Sequence, residues 1–240
     1  MTLLRGMMAL GGTAGTVVPD HTDIVDPTNG VRSRFFPYAT AGLFMGAGIT
    51  DRLELDLFAP RLACADDGRQ PSGCSPYNRF DGTGGSLTYA FLRRARAQAA
   101  LTAGIEEERS SPAELEWRAV AAFKLVPWDV LGIWIDGAIR RDINPPATQT
   151  INPTIGSINL GFDWQVTERT LLWLNFDPWT SLGNVNEGIA LEIYGGASYT
   201  LDHHAQLALE GGAHNVLTNP GWNRNVPEWF SELTFVYWRY

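Results

Sequence analysis

The sequence predicts an all-β protein: a transmembrane, antiparallel, up-and-down β-barrel of about 12 strands, forming one domain over residues 1–240. Three observations lead to this prediction. Twelve short segments alternate apolar and polar residues. The connections between them are alternately long and very short, as in barrels with short turns at one end and longer loops at the other. No apolar run reaches the roughly 18 residues that a spanning helix needs, so a helical membrane protein is excluded.

One hairpin shows the pattern most clearly. The segment Tyr38–Ile49 leads through Thr-Asp-Arg into Leu53–Phe58, where Leu53, Leu55 and Leu57 share one face. Glu54 and Asp56 fall on the other face. A carboxylate at every second residue suits neither a helix nor a strand buried on both sides. We therefore expect this hairpin to separate lipid from water.

The same periodicity places the remaining strands in order. The predicted strands are 3–18, 34–50, 52–62, 84–93, 97–108, 113–125, 129–141, 154–166, 169–178, 187–200, 204–216 and 229–240. Tight connections follow strands two, four, six, eight and ten. Because the number of strands is even, both termini lie at the same end of the barrel as these tight connections. In the last strand we expect Leu233, Phe235 and Tyr237 to face lipid, with a bulge below them. The alternative set is Val236, Trp238 and Tyr240.

Composition agrees with a barrel and excludes some partners. An apolar fraction of 45%, a mean hydropathy near zero and nine Trp residues fit alternating faces with aromatic girdles in contact with outer-membrane lipid. A soluble β-sandwich or lipocalin is the alternative. The formal charge is −8, and no basic cluster is interleaved with aromatics, so we expect no nucleic-acid partner. We interpret residues 1–18 as a strand of the mature protein rather than a signal peptide.

Two cysteines occur in the chain. Cys64 and Cys74 lie in a Gly-, Pro- and Asp-rich stretch between two predicted strands. A metal site would need more ligands nearby, so the pair predicts a disulfide in an external loop, formed in an oxidising compartment.

A search for catalytic residues gives no candidate. None of the four histidines is followed two residues later by a serine, the spacing of the barrel phospholipases. Asp202, His203 and His204 form an Asp-x-His pattern, but it falls in a predicted tight turn, where a solvated turn is the simpler interpretation. Neighbouring residues of a strand point to opposite faces, so His203 and His204 make a weak metal site. We predict no enzyme, no cofactor and no metal.

The predicted inward face is acidic. It carries eleven acids against the three bases Arg118, Lys124 and Arg140. The residues predicted to line the lumen are Glu54, Asp56, Glu116, Arg118, Asp136, Arg140, Asp163, Asn175, Glu192, Glu210 and Glu232; Glu106, Glu114 and Asp177 share that phase. Twelve tilted strands leave a gap of about 10 Å after side chains, which admits a small solute.

Turn positions predict neighbours on this inward face. Around the turn at 126–129, Arg118 is expected opposite or diagonal to Asp136, as a neutralising pair. Around the turn at 201–203, Glu192 is expected opposite or diagonal to Glu210, as a like-charged pair near mid-height. The alternative is that both glutamates are simply hydrated.

The hairpin Gly48-Ile-Thr-Asp-Arg-Leu-Glu-Leu55 resembles a recurrent hairpin of bacterial outer-membrane proteins. It is similar to that of the outer-membrane transporter family of the phenol-degradation meta pathway. This resemblance implies an outer-membrane barrel that transports small molecules, and it carries over no binding residues.

The sequence thus predicts a passive outer-membrane channel for small cationic or neutral solutes, with both termini in the periplasm. A structural or partner-binding barrel, closed by ion pairs in its lumen, is the second hypothesis. An enzyme is the third.

Overall fold

The computed structural model describes residues 3–19, 23–25, 32–34, 38–58, 61–65, 79–108, 114–143, 154–182, 189–217 and 228–239. Every regular element among them is a β-strand, and none forms a helix long and apolar enough to cross a membrane. The strands are β1 (Met8–Pro19), β2 (Asp23–Val25), β3 (Arg32–Arg34), β4 (Tyr38–Gly48), β5 (Leu53–Phe58), β6 (Arg61–Ala65), β7 (Arg79–Arg94), β8 (Ala97–Glu108), β9 (Glu114–Trp128), β10 (Leu131–Asp142), β11 (Thr154–Gln165), β12 (Thr170–Ser181), β13 (Ala190–Thr200), β14 (Ala205–Leu217) and β15 (Glu228–Arg239).

The strands close into one antiparallel barrel. β7 to β15 pair in sequence order, β15 pairs with β1, and β1 pairs with β4. β5 and β6 both pair with β4 and with β7, so together they fill one position in the wall. The wall therefore has twelve positions, and the predicted architecture is confirmed. β2 and β3 form a separate hairpin.

Closure occurs where the sequence predicts it. β1 pairs antiparallel with β15 over its whole length, from Met8 opposite Arg239 to Pro19 opposite Glu228. A spanning sheet needs this closure because an open edge has no partner for its backbone groups in lipid. β1 begins at Met8 rather than at residue 3, because Gly6 has a φ of 82° and its N–H donates to the carbonyl of Gly48. A positive φ turns the chain away from a strand path.

The position in the wall that β5 and β6 share differs from the prediction. β6 extends the wall to Ala65 and β7 already begins at Arg79, so the strands reach into the stretch 63–83 that was predicted as a loop. The sheet continues into this stretch because the backbone of Arg61–Ala63 in β6 pairs with that of Arg79–Asp81 in β7. Cys64 lies in β6, opposite Ala39 of β4. Cys74, and with it the predicted disulfide, lies outside the described residues.

The two faces of the wall alternate as the sequence indicates. Large apolar side chains on the outer face are exposed, among them Ile158 and Leu209, each 59% exposed. In β15, Leu233, Phe235 and Tyr237 face outward while Val236 and Trp238 face inward, and the pairing with β14 is continuous. The predicted bulge is therefore wrong, since one unbroken alternation satisfies both faces. Tyr240 lies outside the described residues.

Each end of the barrel has its own type of connection. We call the end with the connections at 49–52, 95–96, 129–130, 166–169 and 201–204 the turn end, and the opposite end the loop end. β1 starts and β15 finishes at the turn end, where Met8 pairs with Arg239.

Candidate functional site: the lumen

The structure places the predicted lumen-lining residues on inward positions of their strands. Asp56, Glu106, Arg118 and Glu192 line internal cavities, and Asn175 is only 3% exposed. Inward positions also hold Glu54, Glu116, Asp136, Arg140, Asp163, Asp177, Glu210 and Glu232. Glu114 is the first residue of β9.

The main cavity lies to one side of the lumen. It measures about 600 Å³ and runs along β1, β4, β5, β7, β8 and β9. Nearly half of its lining residues are small: Thr13, Gly42, Gly85, Ser86, Thr88, Thr102 and Gly104. Larger side chains line it as well, among them Phe44, Phe58, Val120, Asp56, Glu106 and Arg118. Short side chains leave this volume because little projects from the wall towards the axis.

The opposite wall, from β10 to β14, is filled by larger side chains. Asn159 and Asn175 are buried there, and the Asn159 amide donates to the Tyr194 hydroxyl at 3.1 Å. Gln206 donates to the Ser198 hydroxyl at 2.8 Å. The first bond joins β11 to β13 across β12, and the second joins the neighbouring strands β13 and β14.

Aromatic rings on the inner surface lie across glycines of neighbouring strands. A Cβ on Gly161 would meet Trp134 Cε2 at 2.1 Å, and one on Gly196 would meet Trp173 Cζ2 at 2.5 Å. Phe44 covers Gly11 in the same way, at 2.2 Å. Because the rings lie against the wall rather than across the lumen, they leave room for the cavity.

An ion pair lies in the turn-end half of the lumen. Lys124 of β9 contacts the Asp163 carboxylate of β11. The Trp134 indole donates to the second oxygen of Asp163 at 3.2 Å. Both partners line a cavity of about 290 Å³, so the pair is partly hydrated.

Residues 3–7 narrow the turn end. The Leu3 N–H donates to Glu54 Oε2 at 2.8 Å, and the Arg5 N–H donates to Asp51 Oδ1 at 3.3 Å. A Cβ on Gly48 would lie 1.9 Å from the Leu4 carbonyl oxygen. Glycine at position 48 is therefore what lets the segment lie against the inside of β4.

Charged side chains are concentrated near the loop end. A cavity of about 170 Å³ is lined by Glu106, Glu116, Arg118, Arg140, Asp177 and Glu192. The Arg140 guanidinium carbon lies 6.0 Å from the centroid of the Trp179 ring. Arg140 and Arg118 are directly opposite each other in the pairing of β10 with β9.

This register corrects the first predicted pair. Asp136 pairs with Ala122, not with a residue near Arg118. The turn lies at 129–130 rather than 126–129, since β9 continues through Pro127 to Trp128 with a bulge in the pairing between Leu131 and Ile133. A bulge accommodates the missing N–H of proline.

The second predicted pair is also wrong. Glu210 pairs with Gly196 on one side and directly with Glu232 on the other. Glu192 is opposite Asp177 and lies near the loop end rather than at mid-height. The turn between β13 and β14 includes His204, and the pairing of these strands shifts register between Leu191 and Ile193. The residues opposite Glu192 and Glu210 therefore differ from those predicted.

His214, which is absent from the predicted lumen-lining residues, also contributes to the site. His214 Nδ1 lies 3.1 Å from Glu192 Oε2, and its ring stacks on Phe230 with centroids 4.4 Å apart. The alternation in the sequence assigns Glu192, His214 and Phe230 to the inner face, and this was the signal that could have found them. Their contact depended on the register.

The Asp202–His204 segment forms a turn. The His204 N–H donates to Asp202 Oδ1 at 2.7 Å, which closes the connection between β13 and β14. Within the described part of the chain, no group of three or more His, Cys, Asp or Glu side chains is placed to hold a metal.

The solved structures similar to this chain include two outer-membrane channels. An outer-membrane channel from Pseudomonas putida is 14% identical, with a TM-score of 0.66 over 99% of this chain and 97% of that chain. The NanC porin is 9% identical, with a TM-score of 0.65 over 95% and 98% of the two chains. The fold is that of an outer-membrane barrel.

A third structure, the KdgM porin, is 8% identical with a TM-score of 0.59 over 95% of this chain and 98% of that chain, and has also been solved in complex with disordered oligogalacturonate. No protein-family model and no curated protein matches the sequence. The resemblance to bacterial outer-membrane barrels inferred from Gly48–Leu55 is confirmed at the level of the fold.

Proposed function

We propose that this protein is a passive outer-membrane channel for small solutes, with a preference for cations. The observation that carries the proposal is a closed twelve-position barrel, apolar outside, whose interior keeps a 600 Å³ cavity lined in good part by glycine, serine and threonine. A barrel that served only as an anchor gains nothing from glycines and hydroxyl residues along one inner wall. The outer-membrane barrels of similar fold support this function.

The outer surface supports a membrane location. On β15 the exposed aromatic residues Trp229 and Tyr237 stand eight residues apart, which is about 21 Å along the barrel axis at a tilt of about 40°. Aromatic girdles of outer-membrane barrels flank an apolar band of about 25 Å. With the tight turns in the periplasm, both termini lie there and the loop end faces outward.

The charge of the lumen supports the cation preference. Carboxylates outnumber the bases Arg118, Lys124 and Arg140 on the described inward positions; they include Glu54, Asp56, Glu106, Glu116, Asp136, Asp142, Asp163, Asp177, Glu192, Glu210, Glu228 and Glu232. Several cross-strand pairs oppose two acids directly, among them Asp177 with Glu192, Glu210 with Glu232 and Glu106 with Glu116. Walls of low dielectric focus such a field on the lumen.

Planar-bilayer recording of the purified barrel tests this function. We expect steady single-channel steps in KCl and a reversal potential of the sign set by cation flow under a KCl gradient. Anion selectivity would contradict the charge argument. Absence of conductance in every condition would contradict the channel itself.

A structural barrel closed by ion pairs is the second candidate. It is favoured by the Lys124–Asp163 and His214–Glu192 contacts, which link inward side chains of different strands. In that case the bilayer would stay silent while Lys124→Met with Asp163→Asn would open a measurable conductance.

We also propose the Cys64–Cys74 disulfide in the external connection between β6 and β7. Its support is that Cys64 lies in β6, shortly before that connection, and that an external loop is oxidising. Mass spectrometry of unreduced protein should find no free thiol, and two alkylated cysteines without reductant would refute the bond.

A further inference from the structure

A second cavity, near the loop end, combines acidic and aromatic side chains. It measures about 310 Å³ and lies between β13, β14, β15 and the first and fourth strands. Six of its lining residues are Glu192, Tyr194, Glu210, His214, Phe230 and Glu232. We call it the acidic–aromatic cavity. Its volume is at the lower end of the range of about 300–1,000 Å³ found for small-molecule sites.

Rings form one part of this cavity. The Tyr194 and Phe230 centroids are 6.3 Å apart with planes at 54°, and His214 stacks on Phe230. The His214 contact with Glu192 fixes the imidazole, and through stacking it fixes the Phe230 ring. Aromatic faces attract cations through the ring quadrupole.

Carboxylates form the other part. Glu210 and Glu232 are directly opposite each other on the inner face, and Glu210 Oε2 accepts a hydrogen bond from the Trp173 indole at 3.0 Å. Like charges in this relation destabilise a sheet. A bound cation near both carboxylates would offset that repulsion.

The combination selects one class of ligand. A metal ion would use the carboxylates but not the rings, and the described residues offer no metal-binding group. An uncharged apolar molecule would use the rings but leave the repulsion in place. An organic ammonium ion uses both, since its charge meets the carboxylates and its C–H groups meet the aromatic faces.

We propose that the acidic–aromatic cavity binds small organic ammonium ions and acts as the affinity site of the channel. This inference rests on the proposed channel function, because the cavity opens to the lumen that the channel requires. It extends a general cation preference to a specific site and substrate class.

Isothermal titration of the full-length barrel in detergent tests the site. The probes are choline and its uncharged carbon isostere, 3,3-dimethylbutan-1-ol. We expect choline to bind at least tenfold more tightly than the isostere. Equal binding of the two probes, or no binding of choline, would overturn the inference.

Matched variants locate the binding. Phe230→Leu and Glu232→Gln should each weaken choline binding about fivefold or more. Phe58→Leu and Glu106→Gln make the same changes on inward residues of the main cavity, and should alter choline affinity less than twofold. Phe230→Tyr keeps the ring and should retain the affinity. If Glu106→Gln weakens binding as much as Glu232→Gln, the effect is the general field of the lumen and the site is refuted.

Conductance separates this inference from the channel proposal. A barrel that conducts K⁺ but does not bind choline keeps the channel and loses the site. Choline binding by a barrel that is silent in bilayers refutes the channel and the cavity's role in it, while the binding of ammonium ions by the cavity stands. When both hold, choline should reduce the K⁺ current, and Phe230→Leu should relieve that block.

Discussion

Glycines on the inner wall position the aromatic rings of this lumen. Trp134 covers Gly161 so closely that a Cβ there would also meet Asn175 Oδ1 at 2.5 Å. Both contacts involve groups held by neighbouring strands, so neither can move away without disturbing the buried Asn159–Asn175 region. Glycine is required at this position for a steric reason rather than for backbone freedom.

Gly161→Ala should therefore destabilise the barrel by about 1–3 kcal/mol, the usual cost of overpacking. Gly137→Ala on β10 is the matched control, because its Cβ would find the nearest atom at 4.0 Å. Urea unfolding in lipid vesicles, followed by Trp fluorescence and gel mobility, measures both. Equal stability of the two variants would show that Trp134 rotates freely.

The Lys124–Asp163 contact is the second residue-scale test. Lys124→Met, Asp163→Asn and the double variant form a thermodynamic cycle. We expect a coupling free energy of about 1 kcal/mol, because the Asp163 side chain is only 13% exposed while Lys124 remains partly hydrated. Additive effects of the two single changes would place water between the groups.

At the scale of elements, alternation in the sequence predicts both the number of strands and their faces. A residue's face depends only on its parity within the strand, which the outward Leu233 and inward Glu232 show. Register depends instead on where each turn closes. The centre of the turn lies at His203 rather than Asp202, and a one-residue move of the centre shifts every partner by two, which is why Glu192 contacts His214 rather than lying diagonal to Glu210.

The closing register of β1 with β15 can be measured by disulfide trapping. In a Cys64→Ser, Cys74→Ser background, Ala14→Cys with Leu233→Cys should crosslink on mild oxidation, because these residues are directly opposite. Ala14→Cys with Tyr237→Cys is offset by four residues, since Tyr237 pairs with Leu10, and should remain reduced. Crosslinking of the offset pair instead would mean that the seam has another register.

The segment before β1 provides a second element-scale prediction. Gly48→Ala places a methyl group where the Leu4 carbonyl lies, so residues 3–7 should leave the inner wall while the barrel persists. Trypsin should then cleave after Arg5, and mass spectrometry would detect the shortened chain. Gly137→Ala is again the control and should resist cleavage. A resistant Gly48→Ala protein would show that the segment is held by its other contacts alone.

At the scale of the whole molecule, the large side chains and the carboxylates of the lumen are distributed differently around the barrel. Large side chains fill the wall from β10 to β14 and small ones line β4 to β9, while carboxylates occur on both sides. A solute in the main cavity therefore passes along the wall of small residues, and it still experiences the electric field of the carboxylates on both sides of the lumen. Sequence composition indicated the acidic field, but the off-centre position of the cavity depends on which strands are neighbours around the ring.

Many carboxylates contribute to the electric field in the lumen, and they act on a permeating ion through water. The cation preference should therefore depend on ionic strength. The Debye length falls from about 30 Å at 0.01 M to about 3 Å at 1 M, which is shorter than the lumen is wide. We expect the reversal potential under a fixed KCl ratio to be largest in dilute salt and to approach zero near 1 M.

Glu210→Gln with Glu232→Gln should lower the reversal potential in dilute salt, since the two charges lie together on the inner face. Asp129→Asn with Glu168→Gln removes the same net charge from exposed positions at the turn end and should change it less. Equal effects of the two double variants would assign the preference to the overall charge of the protein. A larger effect of the inner pair assigns it to the lumen, because only charges beside the permeating ion act within a screening length of it.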